Sequence, residues 1–246
     1  MPVADVAIMP ARFYRLQLAL LPTCLTLGCD HHAFSPPARA LPLETVAPLS
    51  AGATGIQLEG GGHEEAAWGP SLVSGTARVR HGVGEDTDLS VEATVLHVMG
   101  QSTAGTNPDA GMARVGVKHR VLPFLSLTAG VGGGGSAGGG FVSPDIGAIV
   151  AYENPYVVPF FAMRGTLSQP IAARPINTTG VGDTMTYINT PELTWIYGGT
   201  VGLRIPLWPH ERVSGSLIGG VGITMLNDRV EDAGYVSASG GAEVVF

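Results

Sequence analysis

The stretch Glu192-Leu-Thr-Trp-Ile-Tyr-Gly-Gly-Thr-Val-Gly-Leu-Arg-Ile-Pro-Leu207 alternates from one end to the other. Its odd positions carry Leu193, Trp195, Tyr197, Gly199, Val201, Leu203, Ile205 and Leu207. Its even positions carry Glu192, Thr194, Ile196, Gly198, Thr200, Gly202 and Arg204. Period two places one set on each face of a β-strand, so this is a strand with one apolar and one mixed face. Both charges, Glu192 and Arg204, fall on the same face.

The same reading extends outward. Arg212 to Met225 puts Val213, Leu217, Val221, Ile223 and Met225 on one side, and Arg212, Ser214, Ser216 and Thr224 on the other. At the C-terminus, Val236, Ala238, Ala242, Val244 and Phe246 share a face, opposed by Tyr235, Ser237, Ser239, Glu243 and Val245. Weaker versions occupy 55–64, 71–83, 87–99, 111–121, 124–133, 144–153 and 156–167. The segments number about ten, each long enough for a tilted strand to cross a bilayer, which takes about 9–11 residues. Pro159 departs from the pattern, because proline removes a ladder hydrogen bond. Eight strands, with one hairpin misread, is the alternative count.

Short connections, at 84–87, 122–123, 153–155 and 208–211, alternate with longer ones at 64–70, 100–110, 134–143, 168–191 and 226–232. Loops sorted by length in this way belong to a barrel with tight turns at one mouth and longer loops at the other. On that count both barrel ends lie at the short-turn mouth, expected to be periplasmic.

Composition narrows the class. Charged residues make up 13% of the 246-residue chain and hydrophobic ones 45%, yet no apolar run reaches the roughly 18 residues that a spanning helix needs. Glycine occurs 36 times without a collagen period, mostly inside alternating segments, which suits crowded strands better than disorder. A net charge of −7, with Lys118 the single lysine, excludes a nucleic-acid-binding face.

The pattern across 54–246 resembles the bacterial outer-membrane β-barrel proteins: all-β, closed, antiparallel and up-and-down, with about ten strands. The resemblance implies outer-membrane lipid around the apolar face. It also implies that the last strand, ending in Phe246, is read by the barrel-insertion machinery. Tyr152, Tyr156, Trp195, Tyr197 and Trp208, near strand ends, would form an aromatic girdle. The lumen would hold Glu59, Arg78, Arg80, Glu92, Arg114, Lys118, Arg164, Arg204 and Glu243. On the same parity fall Asp88, Arg120, Asp145, Glu153, Glu192 and Arg212. A charge on the lipid face costs about 2–4 kcal/mol for Arg or Lys at the midplane, so the interior is where these belong. Their near balance of sign reads as a neutralised, plugged interior in preference to an open pore.

The N-terminus reads as an export signal over 1–28. Arg12 and Arg15 precede the apolar stretch Leu16 to Gly28. Leu25-Thr-Leu-Gly-Cys29 resembles a bacterial lipobox, departing from it at Thr26, and implies lipid attachment at Cys29. A plain signal peptide cleaved nearby, with Cys29 incidental, is the other reading; Ala38-Arg-Ala40 offers an A-x-A site but lies far beyond the apolar stretch. Residues 29–53, with Pro36, Pro37 and Pro42, are expected to form an extended periplasmic tether. Cys24 is removed with the signal, so no disulfide is expected.

Several motifs imitate chemistry. Gly130-Val-Gly-Gly-Gly-Gly135 satisfies G-x-G-x-x-G, but no helix signal follows it, so it reads as a glycine-rich loop and not as a dinucleotide site. His31 and His32 lack further ligands at metal spacing. His81, His97 and His119 fall on the outward face near strand ends. Asn177-Thr-Thr179 matches a glycosylation acceptor. His63 with Glu64 and Glu65, and the loop residues Asp183, Asp228 and Glu231, are the only candidates for catalytic acids or bases. No catalytic grouping, metal site or cofactor is expected. The reading is a non-enzymatic anchor or scaffold whose outer loops, chiefly 168–191, meet an unknown extracellular ligand. The alternative is a narrow porin-like channel. More remote are a soluble periplasmic β-barrel lipoprotein and a barrel protease or lipid hydrolase, which the chain resembles only in architecture.

Overall fold

The computed structural model describes residues 34–65, 71–99, 109–179, 186–209 and 213–246. Ten long strands close into one antiparallel barrel: β1 (Thr54–Glu65), β2 (Ser71–Gly82), β3 (Thr87–Met99), β4 (Ala110–Leu122), β5 (Leu125–Ser136), β6 (Gly139–Ala151), β7 (Val158–Ile171), β10 (Thr194–Pro209), β11 (Ser214–Asn227) and β12 (Asp232–Val245). A two-stranded hairpin, β8 (Ile176–Thr179) and β9 (Thr186–Asn189), stands apart within the β7–β10 connection. The seam joins β1 to β12 from Gly55↔Val245 to Glu65↔Tyr235. Phe246 and Thr54 exchange backbone hydrogen bonds of 2.8 and 2.9 Å at its end, so no open edge is left there.

Alternation is what fixes inside and outside. Val95, Ile146, Val201, Leu203, Leu217, Val221 and Ile223 face outward and are exposed, whereas Arg78, Glu92 and Arg114 are buried. A soluble barrel reverses this arrangement. An apolar outer wall around an ionised interior is the signature of strands solvated by acyl chains. Among the described residues no helix is long and apolar enough to cross a membrane.

The connections depart from expectation at two places. The stretch 134–143, read as a long loop, is strand: β5 runs through the glycines to Ser136, and β6 restarts at Gly139 after a two-residue turn. Gly139 has φ +110°, and a Cβ there would stand 2.6 Å from the Ala172 carbonyl, so glycine is what allows this tight reversal. The β11–β12 turn, 228–231, is also short. The strand ends Met99 and Ala110, and Ile171 and Thr194, lie at the mouth opposite Thr54 and Phe246. Pro159 sits at the start of β7, facing outward, where its carbonyl accepts from Tyr152 N–H and its missing donor costs little.

The largest departure concerns 34–53. The segment expected as a tether runs inside the barrel, with Ser35, Ala38, Arg39, Leu41, Leu43, Glu44, Thr45, Val46 and Leu49 all buried. Its prolines do favour an extended chain. The lumen supplies hydrogen-bond partners and apolar contacts that bulk water would not.

Candidate functional site

The lumen is two-sided. Going round the barrel, β1 to β4 carry most of the inward charges, joined by Asp145 on β6, Arg164 on β7, Arg204 on β10 and Glu243 on β12, while the inward apolar cluster lies on β6, β7 and β11. On the charged side, Arg114 donates to both carboxylate oxygens of Asp145 at 2.6 and 2.7 Å, and to Glu92 at 2.8 Å. Glu92 also meets Arg78 at 3.4 Å, and Arg78 meets Glu59 at 2.8 Å. A second chain of pairs links Lys118 to Asp88 at 3.4 Å, Asp88 to Arg80 at 3.2 Å, Arg80 to Glu243, and Glu243 to Arg204 at 3.6 Å. Glu59, Arg78, Arg80, Asp88, Glu92, Arg114, Lys118, Asp145, Arg164, Arg204 and Glu243 point inward, brought together by alternate positions on neighbouring strands, whereas Glu192, also expected inside, is exposed just ahead of β10, and Glu153 lies half-buried in the β6–β7 turn. Arg120 is a partial exception: it lies at the rim, more than a third exposed, on Asp86 of the β2–β3 turn. Arg212 lies outside the described residues.

Two charges in this network come from the lumen segment 34–53. Arg39 binds Glu44 at 2.9 Å and Glu92 at 3.1 Å, while Glu44 also meets Arg78 at 3.2 Å. The segment therefore adds one cation and one anion, and leaves the balance of the wall unchanged. Its backbone is gripped as well. Leu43 C=O accepts from Gln57 at 3.1 Å, Ala47 C=O from Lys118 at 3.0 Å, and Val46 C=O from Ser126 at 2.8 Å. Arg164 donates to the carbonyls of Arg39 and Ala40, the latter at 3.0 Å. These bonds satisfy a non-regular backbone at membrane depth, which is tolerated only when it is enclosed by protein.

The opposite side of the segment is greasy. Leu41, Leu43 and Val46 form one cluster with Ile149, Ala151, Val158, Phe160, Ala162 and Ile218 of the wall. Fully burying a side chain of this size contributes about 1.5–3 kcal/mol. Glycines make the room. A Cβ at Gly132 would meet Ala38 Cβ at 2.5 Å, one at Gly222 would meet Leu41 at 2.9 Å, and one at Gly220 would meet Leu43 at 3.2 Å. The G-x-G-x-x-G stretch is thus part of the wall against which the segment and Arg114 pack. Beside Ala40–Pro42 remains a small cavity of about 10 Å³, lined by Arg164, Thr166, Thr200 and Thr224 among others. It interrupts the packing without forming a bore.

Sequence reading missed Arg39, Glu44 and the three apolar side chains. A signal for them existed. Ile149, Phe160 and Ile218 lie on the face that otherwise carries charge, and apolar groups in a polar lumen call for an apolar filler.

Tyr152, Tyr156, Trp195 and Tyr197 all point outward, the first two at the short-turn mouth and the others at the loop mouth. The backbone of Trp208 pairs with Gly215 next to a bulge. Phe246 is exposed at the seam. His63 is buried between two hydroxyls, Ser237 at 2.7 Å and Ser74 at 2.8 Å, with Glu64 exposed on the other face. His81, His97 and His119 are exposed near strand ends, beside Thr54, Asp109 and Thr87 respectively. Asp228 caps its own turn, accepting from Val230 N–H at 2.7 Å and Glu231 N–H at 2.8 Å. Cys24, Cys29, His31, His32 and Asp183 lie outside the described residues.

No protein-family profile matches the chain, and no curated protein is significantly similar to it. Similar solved structures include Neisserial surface protein A, at 12% identity over 78% of this chain and 98% of that one, with a TM-score of 0.38. The translocator domain of autotransporter NalP from Neisseria meningitidis is also similar, at 12% identity over 95% of each chain, TM-score 0.45. So is the outer membrane protease OmpT from Escherichia coli, at 12% identity over 85% of this chain and 99% of that one, TM-score 0.40. At these identities the likeness is one of fold alone.

Proposed function

We propose that this chain is an integral outer-membrane barrel that is closed by its own N-terminal segment and works as a non-enzymatic anchor, presenting the 172–193 connection on the cell surface. In this reading the short turns and the barrel ends face the periplasm. Phe246 is read by the insertion machinery, and outer-membrane lipid surrounds the apolar wall. An extracellular ligand would meet the loop mouth. The observation that carries the proposal is the filled lumen: ion pairs and a hydrogen-bonded chain segment occupy the space through which water or a solute would have to pass.

Planar-bilayer recording tests this. The full chain is expected to be silent, and a variant lacking residues 36–49 to give steady unitary steps. Folding of each is checked by the shift in migration between unboiled and boiled samples. Steady steps from the full chain would establish the narrow channel in its place.

A further inference from the structure

The path of the lumen segment has a direction. At one end, Phe34 bridges Glu192 just ahead of β10, Ser35 N–H donates to Thr194 Oγ1 at 3.0 Å, and Pro36 C=O accepts from Ser168 Oγ at 2.6 Å. Glu192, Thr194 and Ser168 all lie at the loop-bearing mouth. At the other end, Leu49 N–H donates to Asp88 at 3.2 Å, and Gly52 N–H donates to the Gly82 carbonyl at 2.8 Å. Those partners lie at the short-turn mouth. Between them the contacts move steadily across the wall, from Ser143 against Ala38 to Ser126 against Val46. The reversal into β1 is built at Ser50–Ala53, where Ala53 N–H donates to Ser50 C=O at 2.9 Å and Gly52 takes φ +82°. From Phe34 to Ser50 an extended chain reaches up to about 55 Å, ample for a hydrocarbon core of about 30 Å.

We infer that the chain is threaded through its own barrel. Phe34 stands at the opposite mouth from Thr54 and Phe246, on the other membrane face from the barrel ends. The device is a strap, Ser35 to Leu49, that crosses the bilayer inside the barrel and brings Phe34 out beside Glu192 and Thr194. β1 and β12 meet at Thr54 and Phe246, directly beside the Ser50–Ala53 reversal.

The inference needs a membrane barrel but not a particular orientation or a silent lumen, and the experiment keeps these apart. One epitope is inserted ahead of Phe34, a second between Gly84 and Glu85 in the β2–β3 turn, and a third between Arg229 and Val230 in the β11–β12 turn, each in a separate variant of the full chain. Antibody binding is compared on intact and permeabilised cells. The tags at Phe34 and Val230 are expected on one side, the external one, and the tag at Glu85 on the other. Exposure of the Glu85 tag with the other two hidden keeps the threading and overturns the orientation proposed above. A Phe34 tag on the same side as the Glu85 tag overturns the threading. Should an insertion disturb folding, a Ser35→Cys/Ser168→Cys pair in a Cys29→Ala background reads the same geometry, since the two hydroxyls stand 2.8 Å apart. Oxidation is expected to give an intramolecular disulfide in the membrane-inserted protein, and persistently free thiols overturn the inference.

Discussion

Glu92 shows why the interior is ionic without being open. Its carboxylate meets Arg114 at 2.8 Å, Arg39 at 3.1 Å and Arg78 at 3.4 Å, so one anion holds together two wall cations and one from the segment. Removing one partner of a buried pair leaves uncompensated charge, which costs far more than the pair itself contributes. Glu92→Ala is therefore expected to lower unfolding stability in lipid vesicles by about 3–5 kcal/mol. Arg120 pairs with Asp86 at 2.6 Å in the half-exposed rim, where water screens both groups. Arg120→Ala is expected to cost less than about 1 kcal/mol. Urea titrations followed by tryptophan fluorescence compare the two. Equal losses would mean that the Glu92 cluster is solvated and the lumen wet.

At the scale of elements, the lumen segment holds its place because it matches a two-sided wall. Leu43 packs into the apolar side, while Glu44 meets Arg78 on the charged side. Leu43→Ala is expected to destabilise by about 2–5 kcal/mol, as for a fully buried leucine. Gly220→Val, which intrudes on both Leu43 and the Val201 carbonyl, is expected to loosen the segment and introduce conductance into an otherwise folded barrel. A silent Gly220→Val protein with an unshifted unfolding midpoint would show that the segment does not pack there. The strands were legible in the sequence because a side-chain period of two survives any tertiary context: ten segments were read and ten close the barrel. The interior charges followed from the same parity. The 134–143 stretch was misread because glycine clusters look alike in a loop and in a wall against which another chain packs. The segment 34–53 was misread because it has no period at all. Its conformation is dictated by the lumen that receives it, and that lumen exists only once distant strands have paired.

For the whole molecule, the question is what holds it in the membrane. The outward belt of Leu58, Val91, Val95, Ile146, Val201, Val221 and Ile223 is spread over β1, β3, β6, β10 and β11, so apolar area meets lipid around the circumference. Each side chain moved from water into acyl chains contributes about 1.5–3 kcal/mol, and the sum far exceeds the marginal binding of a single acyl anchor. Val221→Arg, placing a cation halfway along β11 on the lipid face, is expected to cost about 2–4 kcal/mol and to weaken the heat-resistant form. Cys29→Ala removes any acyl chain at that position yet leaves this belt intact. That variant is expected to fractionate with the outer membrane and to keep its faster migration when unboiled. Its recovery as soluble periplasmic protein would place the apolar wall against something other than lipid, and with it every assignment of inside and outside made from the alternation of Glu192 to Leu207.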